Sequence, residues 1–168
     1  MAFRRHILGA VALSAFLGFS STASAQNRTF SFAYDQPPTT AYGIAANIFD
    51  AKLKELSGGK MSINQFPGAQ LGQEPQMLQK MRAGDIDFVI TSTANASTVA
   101  PQAGVFSLHF LFRDQNHLAK SLADPAISQA FRDMTKESVT GARTLGLLTM
   151  GLRNMYSKKE IEIGRAHV

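Results

Sequence analysis

Arg153 stands just past an apolar run, Leu145 to Met150, between Gly151 and Asn154. A guanidinium so placed can grip a carboxylate with two parallel hydrogen bonds. The side-chain amide of Asn154 adds a donor and an acceptor beside it. The same arginine can equally serve as a solvated cation or as a stiffener of the chain around it. Ser92 and Thr93 close another apolar run and offer two hydroxyls. Tyr34 and Gln36 end a third run with a phenol and an amide. Together these six side chains suit the binding of a small polar anion. Serine and threonine at strand ends more often cap neighbouring backbone, so both readings stay open.

Other chemistries find less support. The chain has no cysteine, which removes disulfides, thiolate metal sites and cysteine nucleophiles. His6 and His167 lie near the ends, His109 sits in an apolar run as a core histidine would, and His117 stands alone on a helix. Their spacing matches no zinc pattern. Asp85 and Asp87 alternate as paired carboxylates might, but the turn at Gly84-Asp85 explains them more simply. No nucleophile elbow, P-loop or dinucleotide fingerprint occurs. Arg113-Asp114 reads as a structural pair or helix cap, and no cofactor is expected.

The elements that must position these residues follow from periodicity. Residues 29–34 alternate apolar and polar, a half-buried strand. Thr39 or Thr40 caps a helix over 41–56, with Ile44, Ala45, Ile48, Phe49, Leu53 and Leu56 as its apolar positions. Residues 61–66 alternate again, Pro67-Gly68 stops them, and Pro75 opens a helix that Ala83-Gly84 ends. Residues 86–90 form a mostly apolar strand. Gln65 to Thr93 is thus a βαβ crossover of roughly 30 residues. Such a unit implies a parallel sheet with helices on its faces, and ligand beyond the carboxyl ends of the strands. A loop or short helix over 94–103, an apolar run from Val105 to Phe112, helices from Asp114 and Pro125, and a last strand over 145–150 complete the chain.

Composition fits this reading. The chain has 168 residues and 45% hydrophobic content, enough for one α/β domain with a real core. Residues 1–25 read as a secretory signal: Arg4, Arg5 and His6, an apolar stretch from Ile7 to Phe19, and an Ala23-Ser24-Ala25 cleavage site before Gln26. Glu162 to Val168 reads as a translated sequencing adapter. Setting aside Arg4, Arg5 and Arg165 from 17 basic residues, and Glu162 from 12 acidic ones, leaves 14 against 11. That balance, about +3, is too mild to argue for nucleic acid.

One stretch carries a resemblance. Phe66-Pro67, Gln70-Leu71-Gly72, Glu74, Met77-Leu78-Gln79 and Gly84 to Phe88, in that order and spacing, resemble the solute-binding proteins of TRAP (tripartite ATP-independent periplasmic) transporters. Phe110 to Asp114 and Gly151 to Asn154 also resemble family segments, so the likeness runs over about 28–161. It implies the two-lobed α/β fold of type II periplasmic binding proteins, in a family whose members are roughly twice this length. Residues 26–144 would be the first segment of lobe one, and 145–161 a hinge strand and the start of lobe two. The resemblance further implies a periplasmic protein that captures a small organic acid for membrane transporter subunits, with Arg153 facing the cleft. The family's principal carboxylate clamp, a second arginine about 20 residues further on, would lie past this chain's end. A sensory receptor of the same fold, or a periplasmic enzyme on a two-lobed scaffold, are the other function classes considered.

Overall fold

The computed structural model describes residues 27–139, 141–151 and 158–159. The expected signal peptide, its cleavage site, Arg153, Asn154 and the tail 162–168 lie outside these residues.

Three parallel strands make the sheet, in the order β2-β1-β3. Strand β1 spans Arg28–Ala33, β2 Met61–Phe66 and β3 Phe88–Val89. β1 is central. Arg28 to Ala33 pair in step with Met61 to Phe66 on one side, and Phe32 and Ala33 pair with Phe88 and Val89 on the other. The lead-in to β3 is held by side chains instead of a ladder. Asp87 Oδ2 accepts the Ser31 backbone N–H at 2.9 Å and the Ser31 hydroxyl at 2.8 Å, and the Asp87 N–H donates back to that hydroxyl oxygen at 2.8 Å. β3 is shorter than the expected 86–90, and these bonds give Asp87 a structural role.

The period-two pattern of β1 sends alternate side chains to opposite faces. Phe32 and Tyr34 pack with Tyr42 and Ala46 of helix α1, Ala41–Ser57. Ala33 packs with Met77 of helix α2, Glu74–Ala83, and with Ile86. Each helix ends on a left-handed glycine, Gly58 or Gly84, that turns the chain into the next strand. The start of α1 departs from expectation. Thr40 is its N-cap residue but caps nothing with its side chain; its hydroxyl donates to the Pro37 carbonyl at 2.8 Å. The buried stripe of α1 is also rotated from the expected one. Tyr42, Gly43 and Ala46 are the buried positions, while Ile44, Ile48 and Leu56 are exposed.

Beyond the sheet come helix α3, Thr93–Ala96, a 3-10 helix over Pro101–Ser107, helix α4, Gln115–Ala123, and helix α5, Pro125–Ser138. Asp114 and Asp124 cap the last two helices through their carboxylates, on the N–H groups of His117 and Ala126. A second small core gathers Ala100, Ala103, Phe131 and Val139. His109 is exposed, not a core residue, because the apolar run it interrupts folds as turns after the 3-10 helix. Residues 145–150 form no strand: among the described residues no sheet edge pairs with them. No helix among the described residues is long and apolar enough to cross a membrane.

Candidate functional site

All three strands point their carboxyl ends the same way, so the loops after β1, β2 and β3 share one edge. The helix after β1 packs on one face and α2, which leads into β3, on the other. The carboxyl ends of β1 and β3 therefore flank a switch of direction, the place where open parallel sheets take ligand.

Four polar side chains converge there, and Glu74 is their hub. It opens α2 next to Pro75, where the helix dipole favours a negative charge. Only 4% of its surface is exposed. Its Oε2 accepts the Ser92 hydroxyl at 2.7 Å, the Ser92 N–H at 3.0 Å, the Thr91 hydroxyl at 3.1 Å and the Asn95 amide at 2.5 Å. Burial alone would raise the Glu74 pKa, but the combined donors outweigh it and hold the carboxyl below its ordinary value. Asp35, the residue after Tyr34, lies close enough to feel that charge. Burial first, then Glu74, raise its pKa; the Gln36 side chain pulls the other way without prevailing. Asp35 Oδ1 is buried without a hydrogen-bond partner.

The expected site residues fare unequally. Ser92 is at this edge, but both roles of its hydroxyl are spent, on Glu74 and on the Asn95 N–H at 3.2 Å as the cap of α3. Thr93 is half-buried at the same edge, its hydroxyl 3.1 Å from that of Ser107. Gln36 is half-buried and its carbonyl takes the Gly68 N–H at 3.0 Å. Tyr34 lies under helix α1 instead of on the open edge. It is fully buried against α1, and its hydroxyl donates to Gln65 Oε1 at 2.8 Å. Its phenol pKa is raised by that burial. Asp35, Glu74 and Asn95 were not among the expected site residues. A glutamate opening a helix in a strand-helix loop reads first as a dipole partner, which hides its second role.

A groove of about 740 Å³ lies at the opposite end of β3, among Gly84, Ile86, Asp87, Lys136 and Leu145. It contains none of the converging polar groups. Among the described residues no three histidine, aspartate or glutamate side chains cluster as metal ligands.

Comparison with known proteins agrees with this architecture. Residues 32–163 match the model of the bacterial extracellular solute-binding proteins, family 7. The C4-dicarboxylate-binding protein DctB of Bacillus subtilis is 31% identical over 112 residues, covering 67% of this chain and 32% of the relative. The 2,3-diketo-L-gulonate-binding periplasmic protein YiaO of Escherichia coli is 31% identical over 102 residues, 61% of this chain and 31% of the relative. The crystal structure of a TRAP periplasmic solute-binding protein from Xanthobacter autotrophicus Py2, with bound β-D-galacturonate, superposes with a TM-score of 0.61 at 29% identity. That match covers 65% of this chain and 36% of that one. The matched stretches thus span about a third of the length of each of these relatives.

Proposed function

The chain belongs to the bacterial extracellular solute-binding proteins, family 7, and we propose on that premise that the complete protein is the periplasmic solute-binding component of a TRAP transporter. It captures a small organic acid and presents it to the membrane subunits for ion-gradient-driven uptake. The ligand closes two lobes about a hinge. Residues 26–144 form the first segment of lobe one, 145–161 lead into the second lobe, and 1–25 direct export. The observation that carries the reading is the match of residues 32–163 to that family's model, on a parallel sheet whose carboxyl edge is lined by polar side chains. The ligands named for the relatives, a C4-dicarboxylate, a diketogulonate and a galacturonate, share a carboxylate and little else. That shared group is what an arginine fork reads best.

Arg153 supplies that fork and Asn154 a neighbouring amide, while Thr93 and Gln36 line the sheet edge. Removing one partner of a buried, hydrogen-bonded charge pair costs roughly 2–5 kcal/mol. Arg153→Ala in the full-length protein therefore weakens binding of its acid about 30-fold or more. Arg153→Lys also loses affinity, since an ammonium cannot make the two-pronged contact. Calorimetric titration against a panel of organic acids checks this. Failure of every acid to bind overturns the transport reading, and unchanged affinity in Arg153→Ala removes that residue from the site.

A further inference from the structure

Asn95 is pinned at one end of its amide and open at the other. Its side-chain nitrogen donates to Glu74 Oε2. That oxygen also takes the Ser92 backbone N–H, a group that can only donate, so it stands there as an acceptor. An amide can offer a donor or an acceptor, and what stands beside its nitrogen decides which. Asn95 cannot turn over without setting its own carbonyl oxygen against the Glu74 carboxylate. Its backbone is occupied too: the N–H donates to the Ser92 hydroxyl oxygen at 3.2 Å, and the carbonyl takes the Thr98 hydroxyl at 2.8 Å. Of its polar groups only Oδ1 takes no donor from the described residues. The residue is half-buried, and the one buried side-chain oxygen without a partner among the described residues belongs to Asp35. Asn95 Oδ1 is therefore open to what reaches the carboxyl end of β3. The fold has no need of that oxygen, because three bonds from Thr91 and Ser92 already tie Glu74 to this loop.

We infer that Asn95 is a specificity-determining residue and Glu74 its positioning residue: the glutamate takes the amide N–H and leaves the amide oxygen to accept a hydroxyl of the bound acid. The inference rests on the organic-acid reading above and narrows its ligand class. A fixed acceptor matches a hydroxyl donor and gains nothing from a methylene in the same place. The ligand class is then an acid bearing hydroxyls along its chain, its carboxylate left to the arginine.

Matched pairs test it. The full-length protein is titrated calorimetrically with 2,3,4-trihydroxybutanoate against butanoate, and with a six-carbon pentahydroxy monoacid against hexanoate. The hydroxylated member of at least one pair binds tighter by about tenfold or more. Asn95→Ala loses the acceptor, so affinity for that hydroxy acid falls by about fivefold or more while its plain partner changes by less than about twofold. Glu74→Ala frees the amide to turn over, and the ratio narrows in the same direction. Glu74→Gln keeps an oxygen for the Asn95 N–H, so the ratio holds although stability falls. A merely structural role would weaken both members of a pair alike and leave every ratio unchanged. Each variant is titrated below the onset of its melting by circular dichroism, which separates lost recognition from lost folding. Should Glu74→Ala not fold, Asn95→Ala and Glu74→Gln carry the test. Equal affinity within both wild-type pairs, or an unchanged ratio in Asn95→Ala, overturns the inference and leaves organic-acid capture standing. A ratio that narrows in Asn95→Ala but not in a folded Glu74→Ala strikes out the positioning role. Binding of none of the four acids counts against organic-acid capture itself, and the inference falls with it.

Discussion

Glu74 and Asp35 are two carboxyls side by side with opposite displacements, and their effects on stability have opposite signs. Glu74 sits below its ordinary pKa, so its contribution is present above the ordinary glutamate range and is lost as pH falls through the depressed value. Asp35 sits above its ordinary pKa, so its contribution is present below the ordinary aspartate range and is lost as pH rises through the elevated one. Glu74→Gln removes the charge that four donors address. It destabilises the protein by about 1–3 kcal/mol at neutral pH and flattens the acid limb of stability against pH. Denaturant melts from pH 3 to 8 check both effects; an unaltered acid limb in Glu74→Gln would show that the donors gain nothing from the charge. Little of this was legible in the sequence. Ser92 and Thr93 were placed at the right edge by pattern alone, because a strand end fixes position. The burial of Tyr34 was not legible, because alternation tells which residues share a face and not which face is covered. Asp35 was passed over because acid after a strand and before Pro37-Pro38 reads as a turn residue.

The elements themselves were legible almost throughout. Helices α1 and α2 and strands β1 and β2 begin and end within a residue or so of their expected bounds, and α4 and α5 begin where expected, because glycine stops, proline starts and aspartate caps act locally. What failed was what depends on neighbours. Residues 145–150 have strand-like composition but no partner edge among the described residues. On α1, Ile44 and Ile48 look like core and are not, while Gly43 and Ala46 are. Small residues mark the buried side because the chain before the helix presses against it. A Cβ at Gly43 would stand 2.0 Å from the Pro38 carbonyl oxygen, a backbone atom that cannot swing aside. Gly43→Ala gains helix propensity of about 1 kcal/mol, yet the clash forces the 38–43 segment off the sheet edge at a cost of about 1–3 kcal/mol or more. The net outcome is a lower melting temperature, measured by circular dichroism, and weakened ligand binding, because Asp35 and Gln36 lead into that segment. A stabilised Gly43→Ala would mean the segment yields freely.

At the scale of the molecule, the described residues leave much apolar surface uncovered. Ile44, Ile48, Leu56, Leu108, Phe110, Leu145 and Met150 are all exposed, Phe110 at 90%. β3 offers an outer edge that no described strand takes up. Surface of that kind on an isolated polypeptide drives association. Residues 26–161 expressed alone therefore self-associate at micromolar concentration and melt without a sharp transition, readable by sedimentation and calorimetry. A monomer with one cooperative transition would show that the uncovered faces are tolerated. The central place of β1 also has a consequence in time. It is the first of the described strands to be made, yet its partners lie 33 and 56 residues further along. At about 5–20 residues per second, the ribosome delivers the second of them roughly 3–11 s later. For that interval Phe30, Phe32 and Tyr34 wait unpaired, so a holding chaperone has its best opportunity at the strand that ends up most enclosed.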